Sequence, residues 1–249
     1  PIAGGLYNNS CLNLLEAYNK QLLAQTTYID LLEAQVAATG GILDPKTGKL
    51  HEIEEALNLQ LFDEISKDVL LRAKKAIRGF HDPLTGHLIS LYEAIKQGYV
   101  SEVNATKNLE AQLATGGIMD TRLGIRIPVS KAITKSLVDE KIASRFKDSS
   151  RTGDGKYVDP NNGDSNLTYL DLIKRSVTDR VNNAVLIVVS KRFVSQRHLN
   201  QGHTSSEVTN FTSNTTTTAS SSMISGTGST STMTGNTTEG PQPSTPESM

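Results

Sequence analysis

The residues best suited to binding chemistry in this sequence are basic, and they occur in two clusters. The first cluster lies between Val69 and Phe80, in a stretch without acidic residues, and the second surrounds a predicted turn and the helix after it. Such clusters can attract an acidic partner surface, although any single Lys or Arg is as readily explained as part of a solvated face. The candidate binding residues are Arg72, Lys74, Lys75 and Arg78 in the first cluster, and Arg122, Arg126, Lys131 and Lys135 in the second.

The sequence offers little for catalysis or metal binding. His81 and His87 flank one predicted turn, but neither a Cys nor a third His joins them, as a zinc site would require. Cys11 has no evident activating neighbour, so we interpret it as a small packing residue. A hydrolase built on the two histidines would need a converging acid or nucleophile. We therefore predict no catalytic residue, no metal site and no cofactor.

Composition narrows the functional class further. The chain has 249 residues with 25 Lys+Arg and 26 Asp+Glu, a balance that argues against a nucleic-acid-binding surface. It has no run of 18 apolar residues, so we predict no membrane insertion. The N-terminal sequence does not resemble a signal peptide, and the single Cys excludes an internal disulfide and fits a reducing compartment. Because the chain does not begin with Met, we expect it to be part of a longer protein.

The average charge hides a division between two regions. Residues 204–249 contain 25 Ser or Thr among 46 positions, three acidic residues and no Lys or Arg. Such a segment has too little apolar surface to offset the entropy of ordering. We predict a folded domain at 1–195 and a disordered Ser/Thr-rich tail at 196–249. Up to residue 203 the charge is then 25 − 23 = +2.

An internal repeat of 38 residues organises the predicted folded domain. A partial copy precedes three clear copies, and a degenerate copy follows around Asp159 and Asp171. The positions that keep the period include Gly41, Gly79 and Gly117; Asp44, Asp82 and Asp120; Gly48, Gly86 and Gly124; and Ala56, Ala94 and Ala132.

Each copy predicts a short β-hairpin followed by two antiparallel helices. The Asp-Pro-x-x-Gly segment at 44–48 is a turn signal, with Gly48 in the left-handed conformation. Ser90 and Glu93 predict a capping box at the first helix, and second helices are predicted to begin near Glu64, Glu102 and Glu140. The alanines that recur at Ala56, Ala94 and Ala132 predict close contacts between helices, because a larger side chain there would force the helices apart. We expect the units to stack into one globular α+β module, since one unit cannot bury its apolar face alone.

The repeat resembles the plakin (plectin) repeat, over roughly residues 1–190. The resemblance rests on Leu-Glu-Ala-Gln at 32–35, followed by Gly-Gly-Ile-x-Asp-Pro-x-Thr-Gly, and on a second Leu-Glu-Ala-Gln at 109–112. It implies a plakin repeat domain, the C-terminal module of a desmoplakin- or plectin-like cytolinker in the cytoplasm, at the cytoskeleton or a cell junction such as the desmosome. The chain departs from that pattern where Asp171-Leu172 replaces Glu-Ala, and where the tail lacks Gly-Ser-Arg repeats.

The resemblance also implies a non-enzymatic function. Plakin repeat domains bind intermediate filaments of the keratin, vimentin or desmin type, and a basic groove is thought to hold the acidic coiled-coil rod. The two basic clusters are the candidates for that groove here. The alternative is a scaffold or signalling module that binds a soluble protein partner, and phosphorylation of the tail is a further hypothesis for regulation.

Overall fold

The computed structural model describes residues 1–147, 157–165 and 167–191. The predicted boundary at 195 and the predicted disorder of 196–249 lie outside these residues. Within the described ranges the chain is α+β, and short hairpins alternate with helices as the repeat predicts.

The first unit begins with a tight hairpin. Asn8 and Asn9 have φ values of 47° and 63°, which suit the two-residue type I′ turn that joins twisted strands. Asn13 and Glu16 then form a capping box at the first helix. The segment that the sequence marks as a partial copy therefore contains a hairpin and two helices: β1 (Ile2–Tyr7), β2 (Ser10–Asn13), α1 (Leu14–Asn19) and α2 (Gln25–Thr39).

The next three units have the same order of elements with longer turns. The last turn glycines, Gly48, Gly86 and Gly124, have φ values of 71°, 69° and 67°, which confirms the predicted left-handed conformation. The predicted Ser90–Glu93 capping box is also present. The elements are β3 (Ile42–Leu43), β4 (Leu50–His51), α3 (Ile53–Asn58) and α4 (Lys67–Arg78), with a 3₁₀ turn at Glu64–Ser66; β5 (Phe80–His81), β6 (Leu88–Ile89), α5 (Leu91–Lys96) and α6 (Glu102–Ala114); and β7 (Ile118–Asp120), β8 (Ile125–Ile127), α7 (Val129–Thr134) and α8 (Glu140–Lys147).

The last copy departs from this order. Tyr157 and Leu167 form an antiparallel bridge around a turn, and Thr168 and Asp171 cap the short helix α9 (Tyr169–Lys174). No second helix begins between α9 and Ser190. The chain instead forms a hairpin of β9 (Ser176–Asp179) and β10 (Ala184–Val188).

This last hairpin joins the first one in a four-stranded sheet with the order β2-β1-β10-β9. Strands β1 and β10 are parallel, and Leu6 lies opposite Val188. Neighbouring elements hold β1 in place, because the Ile2 N–H donates to the Tyr169 hydroxyl at 2.9 Å and the Ile2 carbonyl accepts from Gln35 at 2.8 Å. The two ends of the described chain are thus tied together.

Helix α2 occupies the centre of the core. Leu31, Leu32 and Val36 are fully buried, and α4 and α6 both pack against α2. The alanine of each first helix is also fully buried, as expected for close helix contacts, at Ala17, Ala56, Ala94 and Ala132.

Each of the first four units ends its short helix with a Schellman motif, the hydrogen-bonded left-handed turn that terminates many helices. In the first unit Gln21 has φ 57°, and the Leu22 N–H donates to the carbonyl of Ala17 at 2.9 Å. The left-handed residues are Gln21, Gln60, Gly98 and Ser136. Since a glycine marks only one of these four positions, the sequence gives little warning of the motif.

Candidate functional site

The first basic cluster lies on α4, whose apolar face is buried through Leu70, Ala73 and Ala76. The four basic residues have different environments. Arg72 and Lys75 are exposed and form no ion pair or side-chain hydrogen bond with another described residue. Their charges therefore remain available at the surface.

Lys74 and Arg78 instead contact Glu52, the residue that precedes α3. The Lys74 ammonium is hydrogen-bonded to Glu52 and its side chain is mostly buried, whereas the Arg78 guanidinium lies 3.8 Å from the same carboxylate. The hydrogen bond and the charge of Lys74 lower the pKa of Glu52. These two basic residues connect α4 to α3.

The second cluster is divided among the turn after β7, the strand β8 and the helix α7. Arg122 pairs with Glu93 of the preceding unit at 3.0 Å, and the Lys135 ammonium donates to Asp120 at 2.8 Å. Lys131 is exposed on α7 and makes no side-chain ion pair with any described residue.

Arg126 is hydrogen-bonded to the backbone of other elements of the domain. Its guanidinium donates to the carbonyls of Gln112 and Gly117, both at 3.2 Å, and to the carbonyl of Ala38. Burial lowers the pKa of this guanidinium. Arg126 thus binds carbonyls at the C-terminal ends of α2 and α6, where helices leave acceptors without partners inside the helix.

The C-terminal ends of α2, α4 and α6 converge at this point. The buried amide of Gln112 donates to the carbonyl of Ala37 at 3.0 Å and to that of Ala76 at 2.9 Å. Three helix C-termini bring three partial negative charges together, and basic side chains nearby offset them. Arg126, Lys75 and Arg78 lie at these ends, so helix electrostatics accounts for part of the basic enrichment.

The turn aspartates organise the hairpin turns and tie three of them to the end of the short helix in the same unit. Asp44, Asp82, Asp120 and Asp159 each accept a hydrogen bond from the backbone N–H two residues later, as predicted for this turn type. Three of them also bind a side chain from beyond the following helix: Tyr99 at 3.0 Å, Lys135 at 2.8 Å and Arg175 at 2.7 Å. The hydrogen bond and charge of Lys135 and the turn N–H groups lower the pKa of Asp120.

Two grooves lie at equivalent junctions. The first-second groove has a volume of about 710 Å³ and is lined by residues of α1, the turn after β3 and the segment 57–64. The third-fourth groove, of about 320 Å³, is lined by Glu93, Asp120, Arg122, Leu123, Lys135 and Leu137. A cross-unit ion pair occurs in both, Lys46–Glu16 at 2.5 Å and Arg122–Glu93 at 3.0 Å. Arg122 stands out in the sequence as part of a basic cluster, whereas Lys46 does not, because its pairing with Glu16 depends on how successive units stack.

The structure therefore distributes the eight candidates over different environments. Arg122 and Lys135 line a groove together with two carboxylates, Arg126 is half-buried between helix ends, and the first cluster lies on α4. Among the eight candidates, Arg72, Lys75 and Lys131 are exposed and form no ion pair with another described residue.

The other reactive residues have ordinary environments. His81 and His87 are exposed at the ends of the β5–β6 turn, and the described residues contain no group of three or more His, Cys, Asp or Glu placed to hold a metal ion. Burial, followed by the charge of Asp179, raises the pKa of the Cys11 thiol. A raised pKa disfavours the reactive thiolate.

These features define a class of protein: a module of stacked hairpin-and-helix repeats whose two ends meet in one sheet. The plectin repeat family matches three segments, 31–70, 70–106 and 109–146. These segments are plectin repeats, and the module that they build is a plakin repeat domain. The plectin repeat is a structural repeat, and the family indicates a domain of the cytoskeletal linker type. A search of curated proteins gave no match.

Each helix in the described ranges is too short or too polar to cross a bilayer.

Proposed function

We propose that this plakin repeat domain binds intermediate filaments and anchors them to a larger linker protein at the cytoskeleton or a cell junction in the cytoplasm. The partner surface is the acidic coiled-coil rod, which exposes rows of Glu and Asp outside its apolar seam. The binding residues are the exposed basic side chains of α4 and α7, with Arg78 and Arg122 at the margins.

The observation that carries this proposal is the accessibility of Arg72, Lys75 and Lys131 within a plakin repeat domain. Exposed charges bind weakly one at a time, at about 0.2–1 kcal/mol for each pair. Repeated sites along a filament compensate through multivalency. Binding should consequently weaken as the salt concentration rises.

Co-sedimentation with assembled vimentin or keratin filaments tests the proposal. The variant carries Arg72→Glu, Lys75→Glu and Lys131→Glu, and we expect it to lose at least about tenfold in affinity, or roughly 1.4 kcal/mol. Arg126 is left unchanged because it holds helix ends. The matched control carries Lys20→Glu, Lys49→Glu and Lys141→Glu, which make the same charge change at other exposed positions.

Equal binding by the two triple variants, or wild-type binding that does not respond to salt, would contradict the proposal. Unassembled tetramers separate it from the alternative of a soluble partner. A filament-binding domain should pellet with assembled filaments and show little affinity for tetramers, whereas a scaffold module for soluble partners would not require assembly.

A further inference from the structure

The first-second and third-fourth grooves are lined by equivalent positions of the repeat. Each contains a glutamate from the first turn of the preceding short helix, a turn aspartate, the residue two positions after that aspartate, and two residues that follow the next short helix. In both grooves the residue after the aspartate is a cation, and it pairs with the glutamate of the preceding unit. The five positions are Glu16, Asp44, Lys46, Leu59 and Leu61 in the first groove, and Glu93, Asp120, Arg122, Lys135 and Leu137 in the second.

The junction between the second and third units has other residues at these positions. The 38-residue period places a leucine, Leu84, where Lys46 and Arg122 stand in the two grooves. The set therefore contains two carboxylates and no Lys or Arg, whereas the sets of the two grooves contain one and two basic residues. We call these five residues the second-third surface: Glu55, Asp82, Leu84, Gln97 and Tyr99.

The carboxylate of Glu55 is not paired with a cation of the following unit. Its side chain is 60% exposed, and its ion pair among the described residues is with His51 of the same unit, whose Nδ1 lies 3.0 Å from Oε1. Such a contact is an ion pair only when the imidazole is protonated. Glu55 can therefore accept a cation from outside the chain.

Two side chains with apolar surface are exposed at the same junction. Leu84 is 88% exposed and Tyr99 is 40% exposed. They lie near each other, because the Leu84 N–H and the Tyr99 hydroxyl donate to the same oxygen of Asp82, at 2.9 and 3.0 Å. Leu61 and Leu137, which occupy the position of Tyr99 in the neighbouring units, are buried instead. The tyrosine thus adds exposed apolar surface beside Leu84.

We propose that the second-third surface binds a segment of a partner protein in which an Arg or Lys adjoins an apolar residue. The cation would pair with Glu55, and the apolar side chain would pack on Leu84 and Tyr99. An arginine could also stack on the exposed ring of Tyr99. The third-fourth groove shows this combination within the chain, since its turn presents Arg122 followed by Leu123.

The inference does not depend on filament binding. The second-third surface contains none of the basic side chains proposed to contact the acidic rod, and its partner has the opposite charge. Its test therefore uses no filaments.

NMR titration of the full chain with a short peptide tests the proposal. The probe is the capped peptide Ala-Leu-Arg-Leu-Ala, and the matched control peptide is Ala-Leu-Glu-Leu-Ala. We expect saturable shifts of the backbone amides of Glu55, Leu84 and Tyr99 with the first peptide, at a dissociation constant of about 1 mM. The control peptide should produce no saturable shifts.

Matched variants identify the side chains responsible. Glu55→Gln should weaken binding at least about threefold, because an exposed ion pair is lost. Leu84→Lys should remove saturable binding, because its ammonium would pair with Glu55 as Lys46 pairs with Glu16. Ile65→Lys makes the same change at another side chain that is 88% exposed, outside this surface, and should leave binding unchanged. A dispersed amide spectrum shows that each variant is folded.

Three results would overturn the proposal. The first is the absence of saturable shifts with the arginine peptide at up to about 10 mM, and the second is binding that neither Glu55→Gln nor Leu84→Lys weakens. The third is a dependence of the Leu84 and Tyr99 shifts on protein concentration without peptide, which would show that a second copy of the chain covers this surface instead.

Discussion

At the scale of single residues, the basic side chains perform two different tasks. Arg126 and Lys74 lie against other parts of the domain and stabilise it, whereas Arg72, Lys75 and Lys131 extend into solvent. The distinction matters for mutagenesis, because a charge reversal at Arg126 would disturb the fold as well as any binding.

We expect Arg126→Gln to lower the free energy of unfolding by about 2–3 kcal/mol, because hydrogen bonds from a charged donor to buried carbonyls would be lost. Urea denaturation followed by circular dichroism measures this change. Arg122→Gln, at an exposed arginine with one ion pair, should cost less than about 1 kcal/mol. Similar costs for both variants would show that Arg126 does not have the structural role described.

The Asp120 carboxylate should make stability depend on pH. Its pKa is lower in the folded state than in the unfolded chain, so its stabilising contribution is complete above the ordinary value of about 4 and is lost as pH falls through the folded value. Relative to the Asp120→Asn variant, the wild type should be more stable at pH 7 and lose that advantage near pH 2. Urea midpoints at both pH values test this.

The variant Lys135→Met tests whether Lys135 causes this pH dependence, because it removes the cation that contributes most to the lowered pKa of Asp120. The pH-dependent advantage should shrink in that background. If the stability advantage over Asp120→Asn is unchanged, the lowered pKa of Asp120 results from the backbone N–H groups of the turn instead.

At the scale of elements, the hairpins depend on close approach between their strands. An added Cβ at Gly41 would lie 2.3 Å from the His51 carbonyl oxygen, and one at Gly117 would lie 2.3 Å from the Ile127 carbonyl oxygen. Only Gly117 of these two has a positive φ. The constraint that these two glycines share is therefore space across the hairpin.

We expect Gly117→Ala to destabilise the domain by about 3 kcal/mol, from the contact with a backbone atom and from the strain at φ 118°. Gly98→Ala is the matched control, since Gly98 also has a positive φ, 74°, but open space around it. Its cost should be about 1 kcal/mol, from backbone strain alone. Equal losses in thermal or urea unfolding would rule out the steric explanation.

At the scale of the whole molecule, the pairing of β1 with β10 makes this repeat domain different from an open array. In an open array each repeat contacts only its neighbours, so a deletion at one end acts locally. Here the first and last hairpins share a sheet, and α9 binds β1 through Tyr169. A change at the C-terminal end should therefore act on the first unit.

A chain ending at residue 147 tests this coupling by hydrogen exchange with mass spectrometry. We expect β1 and β2 to lose at least about tenfold in protection, because β1 would lose its parallel partner. The hairpin of β5 and β6, nearer to the cut in sequence but outside this sheet, should lose less. A chain ending at 191 is the control and should retain protection in β1. Loss confined to α7 and α8 would indicate an open array.

Much of the local structure could be predicted from the sequence because it depends on short-range chemistry. A turn from Asp to Gly needs a side chain that bonds its own backbone and a residue free to adopt positive φ, and both are visible in the residue types. Capping at Ser90 and burial at Ala56 follow in the same way from neighbours in the chain. The 38-residue period was therefore apparent from the sequence, and the resemblance to plakin repeats rested on the Leu-Glu-Ala-Gln and Gly-Gly-Ile-x-Asp-Pro-x-Thr-Gly motifs within it.

Only the tertiary structure decided which charges are available and how the chain closes. Lys74 and Lys75 are adjacent in sequence, yet Lys74 is paired with Glu52 and Lys75 is exposed, because helix packing turns one of them towards α3. Arg126 binds the ends of two helices, α2 and α6, through contacts up to 88 residues apart. The pairing of β1 with β10 likewise joins strands whose residue types give no sign of each other. Sequence patterns report local preferences, whereas charge accessibility and closure depend on contacts between distant segments.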